Sequence, residues 1–211
     1  MGFADTLKEA FNAILHPKSG TAQSMSTGGA LKFYYTIMVI PLILSIILGY
    51  ISGGAAVGLL IAGSAALSLI VSIPLSILIG AGVYYVIIGS LFKLFRAEYS
   101  KVVTAFTYAV VPYVFLMWII TPLTASLSLA TVGSVIEIIA AIWSFITILF
   151  ALSNQLSMSK LKAFGTMVLE GVIVGVIVFI ITFLVGASLF GSLFSTSHLV
   201  GSTPSAIPSY P

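Results

Sequence analysis

Apolar residues occur along this chain in long unbroken stretches, separated by short polar ones. Residues 33–92 contain no charged side chain, and residues 102–159 contain only Glu137. A helix needs about 20 mostly apolar residues to cross a membrane, so each stretch is long enough for two spans, and a further apolar segment follows. The pattern predicts an all-α fold, a polytopic bundle of about five transmembrane helices. The spans are expected at about residues 33–51, 66–90, 102–121, 131–152 and 164–190.

The N-terminal segment has a different pattern. Apolar side chains recur at helical spacing from Phe3 to Leu15, with charged residues between them, and the segment ends at His16-Pro17. This predicts an amphipathic helix. Such a helix lies at the membrane interface with its apolar stripe among the headgroups, or it packs against the protein's own bundle, and the pattern leaves both arrangements open.

Small and polar residues fill the segments between the helices. Residues 19–30 predict a flexible linker, and residues 53–65 predict the turn between the first two spans. Glycines at four-residue spacing let helix backbones approach closely in lipid, either within one subunit or between two. Such pairs are Gly49/Gly53, Gly54/Gly58 and Gly171/Gly175.

Basic residues decide the direction of the spans, because short cytoplasmic loops accumulate Lys and Arg. With five spans and a cytoplasmic N-terminus, all eight basic residues fall on the cytoplasmic side. They are Lys8, Lys18, Lys32, Lys93, Arg96, Lys101, Lys160 and Lys162. The chain is therefore expected to be a multi-pass protein of the cell (plasma) membrane. We divide it into a cytoplasmic helix and linker at 1–31, a five-span domain at 32–190, and a disordered tail outside the cell at 191–211.

Composition narrows the classes of function. Hydrophobic residues make up 60% of the chain and charged residues 6%, against roughly 25% charged residues in soluble domains. The basic residues are scattered and form no stripe that would bind nucleic acid. No cysteine, two histidines and five acidic residues leave little from which to build a catalytic or metal site. The sequence therefore predicts no enzyme, no cofactor and no metal, and it identifies no small-molecule substrate.

Glu137 is the carboxylate that lies well inside a predicted span. An ionised carboxylate there costs at least about 2.5 kcal/mol, so such groups usually face the bundle interior and mark functional paths. Pro112 frees the carbonyl of Tyr108 one turn earlier, so we take Glu137, Tyr108 and Pro112 as a candidate intramembrane polar site. In the alternative, structural interpretation, a protonated Glu137 donates its hydroxyl to a neighbouring backbone carbonyl. Both interpretations stay open.

Several short motifs carry a resemblance to a known family. They are Phe106-Thr-Tyr-Ala-Val-Val-Pro112, Ile142-Trp143, Ser159-Lys-Leu-Lys-Ala-Phe164 and the N-terminal helix ending at His16-Pro17. Over about residues 3–190 the chain resembles the Yip family, five-span membrane proteins named for interaction with Ypt/Rab GTPases. It lacks the acidic N-terminal segment of the eukaryotic Golgi members, so the likeness is to prokaryotic members. The resemblance implies five helices and a scaffold or membrane-organising role.

Two functional hypotheses follow. The leading one is a non-enzymatic membrane protein of Yip-like type that acts as a scaffold, a membrane organiser or a subunit of a larger complex. Its partners would be the lipid bilayer and either other membrane proteins or further copies of itself. The alternative is a small transporter or channel that uses Glu137 in a polar intramembrane site.

Overall fold

The computed structural model describes residues 2–126 and 130–200, and these contain helices and no strand. The helices are α1 (Phe3–Leu15), α2 (Pro17–Gly20), α3 (Thr27–Ala66), α4 (Ile73–Tyr84), α5 (Tyr99–Ser126), α6 (Ala130–Gln155) and α7 (Lys160–Val200). Two π-helical segments flank α4, at Leu67–Ser72 and Tyr85–Leu91.

Five helical segments in the described part are long and apolar enough to cross a membrane. They are Thr27–Ile51, Gly54–Leu91, Tyr99–Met117, Thr131–Gln155 and Lys160–Phe183. The predicted fold class, an all-α bundle with five spans, is confirmed. The chain is a multi-pass membrane protein.

The turn between the first two spans is shorter than the sequence predicted. Helix α3 bends at Gly54, where φ is +72°, and helical structure continues directly after it. Residues 54–65, predicted as turn, therefore belong to the second span. Glycine adopts this left-handed backbone conformation without a Cβ clash, so a single residue is enough to reverse the chain.

Close packing of the two helices accounts for two of the glycines. A Cβ atom on Gly49 would lie 2.7 Å from Cδ1 of Ile61, and one on Gly58 would lie 3.2 Å from Cα of Tyr50. The absence of side chains at these positions lets the two backbones approach each other. At Gly49 and Gly58 the glycine spacing thus serves packing within one subunit.

Helix α5 is central to the first of two compact units, Met1–Met167. It contacts α3, α4 and α6, and α1 also packs on it. Of the five spans it is the most buried. Its interior side chains, such as Val102, Val103 and Val111, are fully buried.

The second unit, Val168–Pro211, contains the remainder of α7. The large apolar side chains between Val172 and Phe183 are exposed within it, as expected for a helix that crosses lipid. Helix α7 continues to Val200, so residues 191–200, assigned to a disordered tail from the sequence, are helical. No proline lies between Lys160 and Pro204, so no proline stops the helix at residue 190. Residues 201–211 lie outside the described part of the chain.

The π-helical segment Leu67–Ser72 is stabilised by two tyrosines from the first span. The Tyr34 hydroxyl donates to the carbonyl of Leu69 at 2.9 Å, and the Tyr35 hydroxyl donates to that of Ile70 at 3.0 Å. A π-helical turn alters the regular pattern of backbone hydrogen bonds, and carbonyl groups in lipid need partners. The two tyrosines therefore join the first two spans.

Helix α1 packs against the bundle, which was one of the two arrangements that the sequence left open. Its buried residues are Thr6, Ala10 and Ala13, whereas Phe3 and Leu15 are exposed. Small residues face the bundle and Phe3 and Leu15 face away from it, whereas the ring of Phe11 also contacts the bundle. The apolar surface of α1 is thus divided between the bundle and the surroundings.

Replacement of Gly58 by Ala should lower the free energy of unfolding by about 1–3 kcal/mol, because the new Cβ meets the backbone of Tyr50. Gly63 has no heavy atom within 4 Å of its Cβ position, so Gly63→Ala should instead gain about 0.5–1 kcal/mol of helix propensity. Thermal unfolding of the two variants in detergent measures this difference. Equal melting temperatures would contradict close packing at Gly58.

Candidate functional site

Glu137 lies on an exposed face of α6. Its Oε1 atom accepts a hydrogen bond from the Tyr113 hydroxyl at 3.4 Å. The large side chains near it in sequence, Val135, Ile138 and Ile139, are 53% to 60% exposed, but residues two apart on a helix do not share a face. The expectation that Glu137 faces the bundle interior is corrected, since its side chain is exposed and lies at the edge of the contact between α5 and α6.

Tyr108 belongs to a different polar cluster. Its hydroxyl donates to Oε1 of Glu9 at 2.5 Å and lies 3.4 Å from the main-chain carbonyl of Gln23. The Tyr108 side chain is fully buried, and the ring of Phe33 meets it edge-on at 5.3 Å. The structure thus joins Tyr108 to the N-terminal helix, and Glu137 has Tyr113 as its partner instead.

Pro112 lies in α5 between the two tyrosines and is buried. Near it, the Ser144 hydroxyl of α6 donates to the carbonyl of Ala109. A serine hydroxyl therefore donates a hydrogen bond to a backbone carbonyl near the proline. The structural interpretation of Glu137 required a bond to a backbone carbonyl, but the partner of Glu137 among the described residues is the tyrosine hydroxyl.

Glu9 is the site residue that sequence reasoning missed. The pattern of large apolar residues had placed it among the polar positions of α1. A second pattern was present, because Thr6, Glu9, Ala10 and Ala13 follow the i, i+3, i+4, i+7 spacing of one helix face. Three of these four residues are small and buried, so small side chains, and not large ones, marked the face that packs on the bundle.

The second carboxylate oxygen of Glu9, Oε2, is buried and has no hydrogen-bond partner among the described residues. Burial of a polar atom without a partner is unfavourable. Loss of the hydrogen bond between Glu9 and Tyr108 should therefore cost more stability than loss of a hydrogen bond at the surface. The cluster combines a carboxylate, a phenol hydroxyl and a main-chain carbonyl. No group of three or more His, Cys, Asp or Glu residues that would hold a metal ion occurs in the described ranges.

The segment after α1 is held by the end of α6. The side-chain nitrogen of Gln155 donates to the carbonyls of Thr21 and Gln23, at 2.8 and 2.9 Å. The side-chain nitrogen of Asn154 donates to the carbonyl of Lys18 at 3.0 Å. The prediction of a flexible linker at residues 19–30 therefore needs correction, because side chains distant in sequence hold part of it in place.

Helix α1 has a further contact at the middle of α6. The indole N–H of Trp143 donates to the carbonyl of Ile14 at 2.6 Å, close to the end of the helix, where backbone carbonyls lack helical partners. The ring of Phe11 meets that of Phe115 edge-on at 6.1 Å. Helix α1 is thus attached to the bundle along its length.

Comparison of the chain with protein-family models, curated proteins and solved structures gives no match. The resemblance to the Yip family stays a prediction from the sequence motifs.

The contact between Glu9 and Tyr108 predicts coupling between these residues. Tyr108→Phe should lower the free energy of unfolding by about 1–3 kcal/mol, because it leaves a buried carboxylate without its donor. In the double variant with Glu9→Leu the loss should be smaller than the sum of the two single losses. Chemical or thermal unfolding in detergent would measure all three variants.

Tyr113→Phe is the matched control, since it removes a hydroxyl from an exposed carboxylate contact on the same helix. It should change the free energy of unfolding by less than about 0.5 kcal/mol. Additive effects at Glu9 and Tyr108, or an equal loss for the two tyrosine variants, would contradict energetic coupling between Glu9 and Tyr108.

Proposed function

We propose that this protein is a non-enzymatic scaffold subunit of a membrane protein complex and that it binds its partner through the exposed face of α6. The observation that carries the proposal is the position of Glu137, a carboxylate on the apolar surface of a membrane span. Ionisable groups at membrane depth are costly in lipid and are nearly always paired or held in a wet cavity. A partner that covers Glu137 would relieve that cost.

The chemistry of the face favours a different protein over a second copy of this chain. The eight basic residues lie outside the spans or in the first two turns of three of them, Thr27–Ile51, Tyr99–Met117 and Lys160–Phe183. Glu137 lies near the Thr131 end of its span, Thr131–Gln155, and Gln155 is at the other end. A parallel copy would bring a second carboxylate and no cation to this depth. The fitting partner is a transmembrane helix that presents a Lys, an Arg or another hydrogen-bond donor.

The alternative function, transport along a polar path at Glu137, has less support. A path through the bundle requires polar groups that face its interior. Glu137 lies on the exposed side of the described bundle, and its neighbours there are apolar.

A photo-crosslinking residue at Ala141, which is exposed and lies one turn from Glu137 on the same helix face, tests the proposal in native membranes. We expect it to capture one membrane protein whose transmembrane segment carries a basic or donor side chain. Glu137→Leu should reduce this product at least about tenfold, since it removes the group that the partner pairs with. Mass spectrometry of the crosslinked product identifies the partner.

Glu98→Leu is the control, because it removes a carboxylate from the loop between the second and third spans and should leave the product unchanged. A crosslinked product that is insensitive to Glu137→Leu, or no product, would refute binding at this face. A product that contains two copies of this chain would refute the choice of partner.

We also propose that the basic loops lie in the cytoplasm, that the C-terminal end lies outside, and that the membrane is the plasma membrane. The proposal is supported by the clustering of basic segments at one end of the bundle. The Lys18 carbonyl contacts Asn154, and the loops with Lys93 and Lys162 line one cavity. Short cytoplasmic loops are the ones enriched in Lys and Arg.

Cysteine labelling tests this orientation on a clean background, because the chain has no native cysteine. Ser19→Cys and Ser100→Cys should react with an impermeant reagent only from the cytoplasmic side. Ser202→Cys, at a position outside the described residues, should react only from the other side. Labelling of Ser202→Cys from the cytoplasm would require an even number of spans.

A further inference from the structure

A basic cavity lies between two loops at one end of the first unit. Its volume is about 430 Å³, and it is lined by residues of the loop after the second span and of the loop between α6 and α7. Three of the lining residues are cations, Lys93, Arg96 and Lys162, and none is a carboxylate. The cavity therefore presents a concentrated positive charge.

Nearby acidic groups do not neutralise these cations. Glu98 follows Arg96 by two residues, but its Oε2 atom accepts a hydrogen bond from the Ser100 hydroxyl at 3.2 Å, and it does not line the cavity. Lys93, Arg96 and Lys162 form no ion pair within the described residues. Their charges are thus available to an anion.

The backbone at the cavity is unusual at two points. Lys93 and Ser157 have φ values of +53° and +50°, and they are the non-glycine residues with positive φ in the described ranges. Both line the cavity. Left-handed backbone is unfavourable for residues with a Cβ atom, and such residues cluster at ligand sites. Glycine would fit these positions with less strain, yet a lysine and a serine occupy them.

The start of α7 adds neutral donors and a favourable dipole. Ser159 accepts a hydrogen bond from the backbone N–H of Lys162 at 3.3 Å, and both residues line the cavity together with Ser157. The N-terminal end of a helix favours negative charge. By contrast, the Lys160 ammonium lies over the ring of Phe150, at 4.3 Å from its centroid, and does not line the cavity.

We propose that this cavity binds a phosphate group, carried either by the headgroup of an anionic phospholipid or by a soluble phosphate. Guanidinium, ammonium and hydroxyl groups are the usual donors to phosphate oxygens. A general excess of cytoplasmic Lys and Arg would explain on which side these residues lie. It does not explain why three of them, from the loop after the second span and the start of α7, more than 50 residues apart in sequence, surround one cavity.

The experiment measures binding to the full chain in detergent at constant ionic strength. The probes are phosphatidylglycerol, phosphatidylcholine and inorganic phosphate, and native mass spectrometry and thermal shift are the readouts. The wild type should bind a phosphate-bearing anion in preference to zwitterionic phosphatidylcholine. The triple variant Lys93→Gln, Arg96→Gln, Lys162→Gln should bind at least about tenfold more weakly, because each cation near an anionic headgroup contributes to the affinity.

The control triple variant Lys18→Gln, Lys32→Gln, Lys101→Gln removes the same charge outside the cavity and should weaken binding less than about threefold. Arg96→Gln alone gives a second, milder test if the triple variant unfolds. Binding of phosphatidylglycerol that inorganic phosphate does not displace supports a lipid headgroup, and displacement by inorganic phosphate supports a soluble ligand. Equal losses in the two triple variants, or no preference over phosphatidylcholine, would overturn the proposal.

Discussion

In hydrocarbon, a backbone or side-chain polar group without a partner costs several kcal/mol, and this constraint explains most of the specific contacts in the bundle. Tyr34 and Tyr35 donate to carbonyls of a π-helical segment. Trp143 donates to a carbonyl at the end of α1, and Tyr108 donates to Glu9. Aromatic residues with one polar atom are suited to this task, because their rings pack as apolar bodies while the hydroxyl or N–H satisfies an acceptor.

The sequence predicted the number of spans well because length and apolarity alone decide it. The sequence predicted poorly which side of each helix packs against the bundle. Helix α6 is apolar nearly all round, so its large apolar residues do not distinguish its exposed side from its buried side. In the second span the Gly- and Ala-rich residues 54–65 resemble a turn by composition, but small residues in a membrane also mark close helix packing, and packing is what the structure shows.

Glu9 and Glu137 each lie in an environment that their neighbours in the sequence do not suggest. Glu9 lies in an amphipathic segment among other charged residues, yet one of its oxygens is buried and has no partner in the part of the chain that the structure describes. Glu137 lies in an apolar span, yet its side chain is exposed. Neither outcome follows from local sequence, because each depends on which helix packs against which face. For Glu9 the small residues of α1 held the information. In α6 the small residues Gly133, Ala140 and Ser144 mark the side that packs on α5, and Glu137 lies at its edge.

The attachment of α1 has a consequence for the order of events during synthesis. Ile14 and its partner Trp143 are separated by 129 residues, which at a translation rate of about 5–20 residues per second amounts to roughly 6–26 s. For most of that interval α1 exists without α5, and for all of it without a complete α6, and its large apolar side chains can use the membrane surface while Glu9 stays in water. Docking of the first helix must therefore be a late step of biogenesis, one that moves an acidic side chain from solvent into the bundle only after the third span, which carries Tyr108, has been made.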